Sequence, residues 1–390
     1  MNQLLNDGRA LEGIISSIIR QSTLRMAPSR LDWERIYRIA DYHKVANIVY
    51  LGILGNSDSV PDKWKERFFE RYQESLLFGE NYKESVKEVL TWLDKRSISC
   101  IVLTSEVLRD FYQIPEAADT DPLRLYMDAK SYDLVRGYLI DLGYEVDQVY
   151  EGAGEHFHRE SGLAIVMYYK LPFRTVKYAR GMQKLLESAC VRENYKYIRA
   201  FTVEGELIYR MAAAVYRYVT DELTMRDVLE LQIYHSVLRE HIRMDVVQRR
   251  LAELHVEELA EKILRISYMW FSDRKDEYYD GLPENIAEYD ILEERLITRG
   301  MINHETDRQA LELEKQIQKE LNREKKSERF QTLKAKFREQ WEKVRKMMRW
   351  IFPDYRYMAS IYPLLEKVPV LLPVYWLLRD MRLLIRLLKK

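Results

Sequence analysis

The 390-residue chain is poor in cysteine, glycine and proline, and it has no net charge. Its two cysteines, Cys100 and Cys190, lie far apart without CxxC spacing, which argues against a disulfide framework and a structural zinc site. Lys plus Arg equals Asp plus Glu at 62 each, so no global field attracts the protein to nucleic acid or anionic lipid. Only 14 Gly and 10 Pro interrupt the chain, which favours long helices over a sheet-rich fold.

Long apolar runs are also missing. No segment approaches the roughly 20 uninterrupted apolar residues that span a bilayer. The stretch MNQLLNDGRALEGIISSIIRQ lacks the basic start and the small-residue cleavage site of a secretory signal, and it is typical of an amphipathic helix. The two unpaired cysteines fit a reducing compartment, so we expect a cytoplasmic protein. No GxGxxG, P-loop, nucleophile elbow or HExxH motif supports a redox enzyme, a P-loop NTPase, an α/β-hydrolase or a zincin.

Most of the sequence has the spacing of amphipathic helices. In LDWERIYRIADYHKVANIVYLGIL, one stripe recurs at steps of three and four, and KERFFERYQESLLFGENYKESVKEVLTWLDKR continues the pattern. The members of that stripe are Trp33, Ile36, Tyr37 and Ala40. Helical spacing resumes near residue 202 and predicts a helical bundle.

The periodicity changes between residues 98 and 171. SISCIVLTSEVL contains a compact apolar run from Cys100 to Leu103 that is typical of a buried strand, and a helix is predicted through SEVLRDFY. LRLYMD and GLAIVMYYKL predict two further strands, and YDLVRGYLIDLGY predicts a helix that ends at Gly143. The sequence therefore predicts an α+β fold that is mostly helical, with one small α/β unit flanked by helical segments.

We divide the chain into four segments. Residues 1–89 are predicted as a helical segment, 90–200 as the α/β domain, 201–300 as a helical bundle and 301–390 as a charged helical extension. In the extension a coiled-coil hairpin and a helix docked along the bundle both fit the apolar spacing of Phe330, Leu333, Phe337, Trp341, Val344 and Met348. The last stretch, WLLRDMRLLIRLLKK, is a basic amphipathic helix that fits an anionic membrane, a partner's groove or the protein's own bundle.

Several stretches together resemble the large bacterial family of uncharacterised nucleotidyltransferases, which is related to the polymerase-β-like nucleotidyltransferases. DWERIYRIADYHKVANIVY is similar to its opening helix, and ISCIVLTSEVLRDFY is similar to its first strand and following helix. DLVRGYLIDLGYEV resembles its helix ending in Leu-Gly-aromatic. LTMRDVLELQIYHSVL resembles a later helix in which an arginine precedes an acid by four residues, here Arg226 and Glu230.

The resemblance implies phosphoryl transfer assisted by two metal ions. Two acids at i and i+2 of one strand point the same way and, with a third acid from a neighbouring strand, hold Mg²⁺ ions about 3.5 to 4 Å apart on the nucleotide phosphates. The implied cofactor is therefore Mg²⁺, which we expect only if the protein is active. The implied ligand is a nucleoside triphosphate.

The sequence departs from the family pattern at each of these places. Thr104 and Ser105 stand where the family has lysine and glycine after the first strand, which removes a phosphate-binding cation and a close backbone approach. Pro122 and Arg124 stand where the family has the paired acids, and Val166 stands where it has the third acid. Neither proline nor arginine binds magnesium.

A shifted alignment restores part of the metal site. Asp119 and Asp121 have the spacing of the paired acids and are the candidate metal ligands, with Asp128 or Glu155 as a substitute third acid. Asp119, Asp121 and Asp128 are thus the candidate catalytic residues. The candidate nucleotide-binding residues are Thr104, Ser105 and Arg124.

Two other patterns have a second interpretation. GEHFHRE places His156 and His158 on one face of a possible strand, a spacing that zinc or copper could use with a nearby glutamate, although a polar edge strand is the interpretation that we favour. NREKKSERFQTLKAKFREQWEKVRKMMRW interleaves cations with aromatics, but its acids favour a solvated helix over a nucleic-acid surface.

Three functional hypotheses follow. The first is a nucleotidyltransferase-like protein with a degenerate metal site that acts by binding a nucleotide, peptide or protein partner. The second is an active Mg²⁺-dependent nucleotidyltransferase that modifies a small molecule or a protein. The third is a membrane-surface or assembly protein that acts through the C-terminal helix. The sequence contains no specific signal for nucleic-acid binding.

Overall fold

The computed structural model describes residues 2–22, 31–54, 60–80, 82–119, 122–150, 153–159, 163–171, 173, 176–272 and 286–298, with isolated positions between 315 and 381. The chain forms two compact units, residues 1–317 and 318–390. Few residues of the second unit are described, among them the 3₁₀ turn Pro369–Leu371. The apolar positions predicted between residues 330 and 348 lie outside the described residues, as does most of the amphipathic helix predicted for WLLRDMRLLIRLLKK.

Helices precede, flank and follow a sheet in the first unit. Those before the sheet are α1 (Asn2–Ile19), α2 (Trp33–Tyr42), α3 (Ala46–Leu54), α4 (Asp62–Glu80) and α5 (Tyr82–Lys95). Those among or after its strands are α6 (Ala129–Asp141), α7 (Val176–Glu187), α8 (Val203–Val219), α9 (Met225–Leu238), α10 (Met244–Leu254), α11 (Glu257–Phe271) and α12 (Ile286–Thr298). The mostly helical α+β fold predicted from the sequence is confirmed.

Local sequence explains several helix boundaries. Asp32, Asp128 and Thr202 each accept a backbone hydrogen bond at the start of α2, α6 and α8, as good N-cap residues do. The helical spacing of LDWERIYRIADYHKVANIVYLGIL is divided between α2 and α3, because Lys44 adopts a left-handed φ of 57°. Gly143 takes a positive φ of 81° just after α6, as its position predicts.

The strands of the described residues form one mixed sheet. They are β1 (Cys100–Val102), β2 (Leu123–Tyr126), β3 (Glu145–Tyr150), β4 (Gly154–His158), β5 (Ile165–Tyr168), β6 (Cys190–Val191) and β7 (Ile198–Ala200). Their order in the sheet is β3-β4-β5-β2-β1-β7-β6. Strand β1 is antiparallel to β2 and parallel to β7, and β2 is parallel to β5.

One face of this sheet packs on α5 and α6. Leu90 of α5 and Leu139 of α6 lie in the same buried cluster as Leu125 of β2 and Met167 of β5. Full burial of such a side chain stabilises the fold by about 1.5 to 3 kcal/mol. The sheet is therefore fixed from one side by two helices, while α8, α9 and α11 pack on one another.

The structure confirms the predicted strands in SISCIVLTSEVL, LRLYMD and GLAIVMYYKL and corrects three details. Residues 106–111 form a short 3₁₀ helix capped by Ser105, not an α-helix. Strand β4 is not an edge strand, because β3, which the sequence did not predict, pairs with its outer side. Strands β6 and β7 were also not predicted. In the described part of the chain, no helix has both the length and the apolar character to cross a membrane.

Candidate functional site

The candidate site lies at one end of the central strands. Because β1 and β7 are parallel, their last residues, Val102 and Ala200, lie at the same end of the sheet. Strand β2 runs antiparallel to β1, so its first residue, Leu123, lies at that end too. The positions singled out from the sequence, Thr104 and Ser105 after β1 and Asp119 before β2, are thus brought to one end of the sheet.

The register places Arg124 directly beside Val166. These residues are opposite each other on β2 and β5, and His156 of β4 is opposite Val166, so the three side chains share one sheet face. Arg124 and Val166 are both buried. A cation and an aliphatic side chain therefore lie side by side on this face, and neither offers an oxygen ligand.

Glu155 belongs to the other face of the sheet. It lies opposite Met167, whose neighbour on β2 is Leu125. Its carboxylate accepts hydrogen bonds from Arg136 Nε at 2.6 Å and Tyr132 Oη at 2.8 Å, both on α6. Burial opposes ionisation, but these bonds lower the pKa of Glu155 below its ordinary value. Glu155 is therefore not placed to share a metal with groups on the face of Arg124.

Asp128 caps a helix. Its carboxylate accepts hydrogen bonds from the Ser131 hydroxyl at 2.7 Å and from the backbone N–H groups of Lys130 and Ser131 at 3.0 Å. The hydrogen bonds from Ser131, above all, lower the pKa of Asp128. The orientation of this carboxylate is thus explained by the start of α6.

Polar side chains hold residues 117–119 in place. Ser75 Oγ donates to Ala118 O at 3.0 Å and to Asp119 Oδ1 at 3.3 Å, and Asn47 Nδ2 donates to Ala117 O at 3.1 Å. Asn47 and Ser75 are both buried. Asp121, the other candidate of the pair, lies outside the described residues.

Arg226 is the centre of this polar arrangement. Its guanidinium donates to Lys44 O at 2.9 Å, Tyr112 Oη at 3.0 Å, Ala117 O at 2.7 Å and Asn47 Oδ1 at 2.5 Å. The side chain is buried, and only a planar guanidinium offers donors in so many fixed directions. Arg226 therefore joins α9 to the α2–α3 connection and to the segment before β2.

The backbone amide of Ser105 is bound by an acid of α8. Its N–H donates to Glu206 Oε1 at 2.9 Å, and the same oxygen accepts from Arg210 Nε at 2.9 Å and Nη2 at 2.7 Å. The Ser105 hydroxyl accepts from Val107 N, and Thr104 is half-buried before it. The backbone amide and the hydroxyl of Ser105 are thus both hydrogen-bonded within the chain.

A polar cleft of about 250 Å³ adjoins Asp119. Its lining combines acids, bases and neutral polar groups: Asp41, Lys44, Ala46, Asn47, Arg71, Glu74, Ser75 and Asp119. Arg71 is held by Asp41 at 2.8 Å and Glu74 at 2.7 Å. Because the charges of both signs largely compensate, the cleft suits a polar or zwitterionic group better than a triphosphate.

The histidine pair of β4 does not collect a set of ligands. His156 Nδ1 pairs with Asp147 of β3, and exposed His158 lies opposite Glu145. Among the residues that the structure describes, no group of three or more His, Cys, Asp or Glu side chains could hold a metal ion. Arg124 and Val166 offer no oxygen ligand, so this part of the sheet face does not fit the Mg²⁺ ions that the resemblance implies.

Comparison with known protein families finds one match. The family model described as uncharacterised nucleotidyltransferase matches residues 29–272, which is more than half of the chain. The chain belongs to this family. The match begins just before α2 and ends just after α11, so it includes the sheet and the Arg226 network. No curated protein and no solved structure matches the chain.

Two residues that lie at the end of β1 were missed by sequence reasoning. Glu206 and Arg210 were not singled out, because the contact to Ser105 joins positions 101 residues apart and no local pattern reveals it. The i, i+4 spacing of Glu206 and Arg210 signals a helical ion pair, but not its third partner. Arg226 was noted through the family resemblance, but its four hydrogen-bond acceptors could be identified only from the fold.

Proposed function

We propose that this member of the nucleotidyltransferase family has a degenerate metal site and acts by binding a partner instead of transferring a nucleotide. The observation that carries the proposal is Arg124 beside Val166 on adjacent strands. Two-metal transfer needs carboxylate oxygens at such places, and a guanidinium repels the ions. Asp128 and Glu155, the substitutes for the third acid, are bound to α6.

Of the possible ligands, the site favours a peptide or protein over a nucleoside triphosphate. A triphosphate without metal needs unpaired cations, and the arginines close to Ser105 are paired with carboxylates. The cleft beside Asp119 instead offers charges of both signs and hydrogen-bonding groups. These features suit the side chains and backbone of a polar peptide segment.

The transferase activity itself tests the proposal. Pyrophosphate release from ATP, CTP, GTP and UTP would be measured with Mg²⁺ and with Mn²⁺. We expect no release above that of Asp119→Ala, with exposed Asp245→Ala as a matched control for loss of a carboxylate. Metal-dependent release that is abolished in Asp119→Ala or Asp121→Ala, but retained in Asp245→Ala, would overturn the proposal and support an active enzyme.

A further inference from the structure

The strand topology explains why α8 reaches Ser105. Val102 and Ala200 are paired neighbours at the ends of parallel strands. Three residues further on, the chain reaches Ser105 from β1 and the first residue of α8 from β7. The first turns of α8 therefore lie against the backbone that follows β1, and Glu206 projects from them to the Ser105 amide.

Glu206 is bound there as an anionic ligand would be. One of its oxygens accepts three hydrogen bonds of 2.7 to 2.9 Å, from the Ser105 N–H and from two nitrogens of Arg210. The side chains of Glu206 and Arg210 are only 9% and 10% exposed. A backbone amide combined with a guanidinium is the donor set that binds a phosphate oxygen.

The surrounding charges are already balanced by carboxylates. Arg210 stacks on Tyr234 and also lies 3.9 Å from Glu230, and Arg192 forms an ion pair with Glu106. A phosphate entering beside Glu206 would meet a like charge in a poorly hydrated place. Without that carboxylate, the buried Arg210 would lose its main counter-charge.

We propose that the space in front of the Ser105 amide is an anion site filled by the chain's own Glu206, and that this carboxylate excludes phosphate groups from the strand end. Removing the carboxylate opens the site to a phosphate dianion, either free or at the end of a nucleotide. The proposal goes beyond the missing metal ligands, because it assigns the exclusion of phosphate to one side chain that is distant from Arg124 in the sequence. The binding that it predicts needs no metal.

Glu206→Ala tests the site directly. Thermal unfolding and calorimetry would be measured in EDTA with inorganic phosphate, AMP and ATP as probes. We expect Glu206→Ala to bind phosphate at least tenfold more tightly than the wild type and to show a Tm that rises with its concentration. Arms with AMP and ATP distinguish a free phosphate from a nucleotide as the better ligand. Glu206→Ser empties the same place and replaces the alanine variant if that variant does not fold.

Matched variants locate the effect. Glu204→Ala removes a neighbouring acid of α8 that pairs with Arg243, and it should not gain phosphate binding. Glu206→Gln keeps the side chain in place over the amide and should gain much less than Glu206→Ala. Adding Arg210→Ala to Glu206→Ala should abolish the gain.

Two results would overturn the inference. One is a folded Glu206→Ala or Glu206→Ser protein whose Tm does not respond to phosphate. The other is phosphate binding by the wild type with the same affinity as the variant. Because every arm contains EDTA, these outcomes are separate from the proposed loss of metal-dependent transfer, which is measured with Mg²⁺ on the wild type.

Discussion

At the residue scale, the most connected polar side chain of the site is Arg226. Four acceptors from three parts of the chain surround its buried guanidinium. Truncation of Arg226 leaves these acceptors without hydrogen-bond donors in a place that water does not reach. The loss of stability is set by the hydrogen bonds that the acceptors can no longer form.

We therefore expect Arg226→Ala to lower the free energy of unfolding by about 3 kcal/mol. Arg226→Lys keeps the charge but not the planar donor set, so it should also lower the free energy of unfolding, but by less than Arg226→Ala does. Urea denaturation measures both. Arg250→Ala, which removes a surface ion pair with Glu253, should change stability by less than about 0.5 kcal/mol. Equal losses in Arg226→Ala and Arg250→Ala would contradict the account of the network.

The helix cap formed by Asp128 should make folding stability depend on pH in a defined direction. Its folded pKa lies below the ordinary value of 3.8, so the cap stabilises α6 above that value and the contribution is lost as pH falls through the folded pKa. Asp128→Ala should cost about 1 kcal/mol at pH 7, and Asp128→Asn much less. Urea denaturation at pH 7 and pH 3 checks this. A wild-type advantage over Asp128→Ala that is as large at pH 3 as at pH 7 would be the contrary result.

The positions Pro122, Arg124 and Val166 came from the family resemblance, and their correspondence to the family's acids stays a prediction. The sheet register adds that Arg124 and Val166 lie side by side, which no local pattern in the sequence specifies. The cap formed by Asp128 is encoded locally, by an acid three residues before a serine at the start of a helix. The roles of Glu206 and Asn47 depend on contacts across the fold, which no local spacing specifies.

At the element scale, the position of a strand in the sheet determines the chemistry of its side chains. Strand β1 lies between β2 and β7, and Cys100 on it is buried, whereas β6 is an edge strand and Cys190 on it is exposed. Burial, with a smaller contribution from Asp94, raises the pKa of the Cys100 thiol to about 12. Since the thiolate is the reactive form of cysteine, Cys190 should react with thiol reagents much faster than Cys100.

The native protein should expose one reactive thiol. We expect Ellman's reagent to titrate Cys190 within minutes at pH 8 and Cys100 only after denaturation. Cys190→Ser should remove the native reaction, and Cys100→Ser should leave it unchanged. Rapid reaction of both thiols in the native wild type would show that β1 is not held in the interior of the sheet.

The elements that the sequence predicted are those with strong and continuous patterns. Strands β1, β2 and β5 have compact apolar runs, but β3 reads EVDQVY and contains a register shift between Val146 and Gln148 that breaks its alternation. Strands β6 and β7 are two and three residues long, too short for a periodic signal. Missing β3 led directly to the wrong interpretation of β4 as an edge strand.

At the scale of the whole molecule, α1 joins regions that are distant in the sequence, because it packs against α2, α3, α11 and α12. Glu12 on this helix is half-buried, and this desolvation, with the like charge of Glu293, raises its pKa from 4.5 to about 7 despite the opposing charge of Arg20. In the folded protein Glu12 therefore holds its proton at pH values where the unfolded chain has lost it. Stability should fall as pH rises from about 4.5 to about 7.

Glu12→Gln isolates this contribution. The variant should be less sensitive to pH over that range and more stable than the wild type at pH 8, by up to about 3 kcal/mol. Urea denaturation of both proteins at pH 5 and pH 8 provides the comparison. Parallel pH profiles for the two proteins would show that the surroundings of Glu12 on α1 do not raise its pKa.

The central claim is that this nucleotidyltransferase-like chain has lost its metal-dependent nucleotide site. The most direct measurement is calorimetric titration of the wild type with ATP, CTP, GTP and UTP, each with Mg²⁺ and with EDTA. We expect no binding that depends on Mg²⁺, because a guanidinium and an aliphatic side chain, those of Arg124 and Val166, lie side by side on β2 and β5 and offer no oxygen ligand. Tight binding that requires Mg²⁺ and disappears in Asp119→Ala or Asp121→Ala would contradict it.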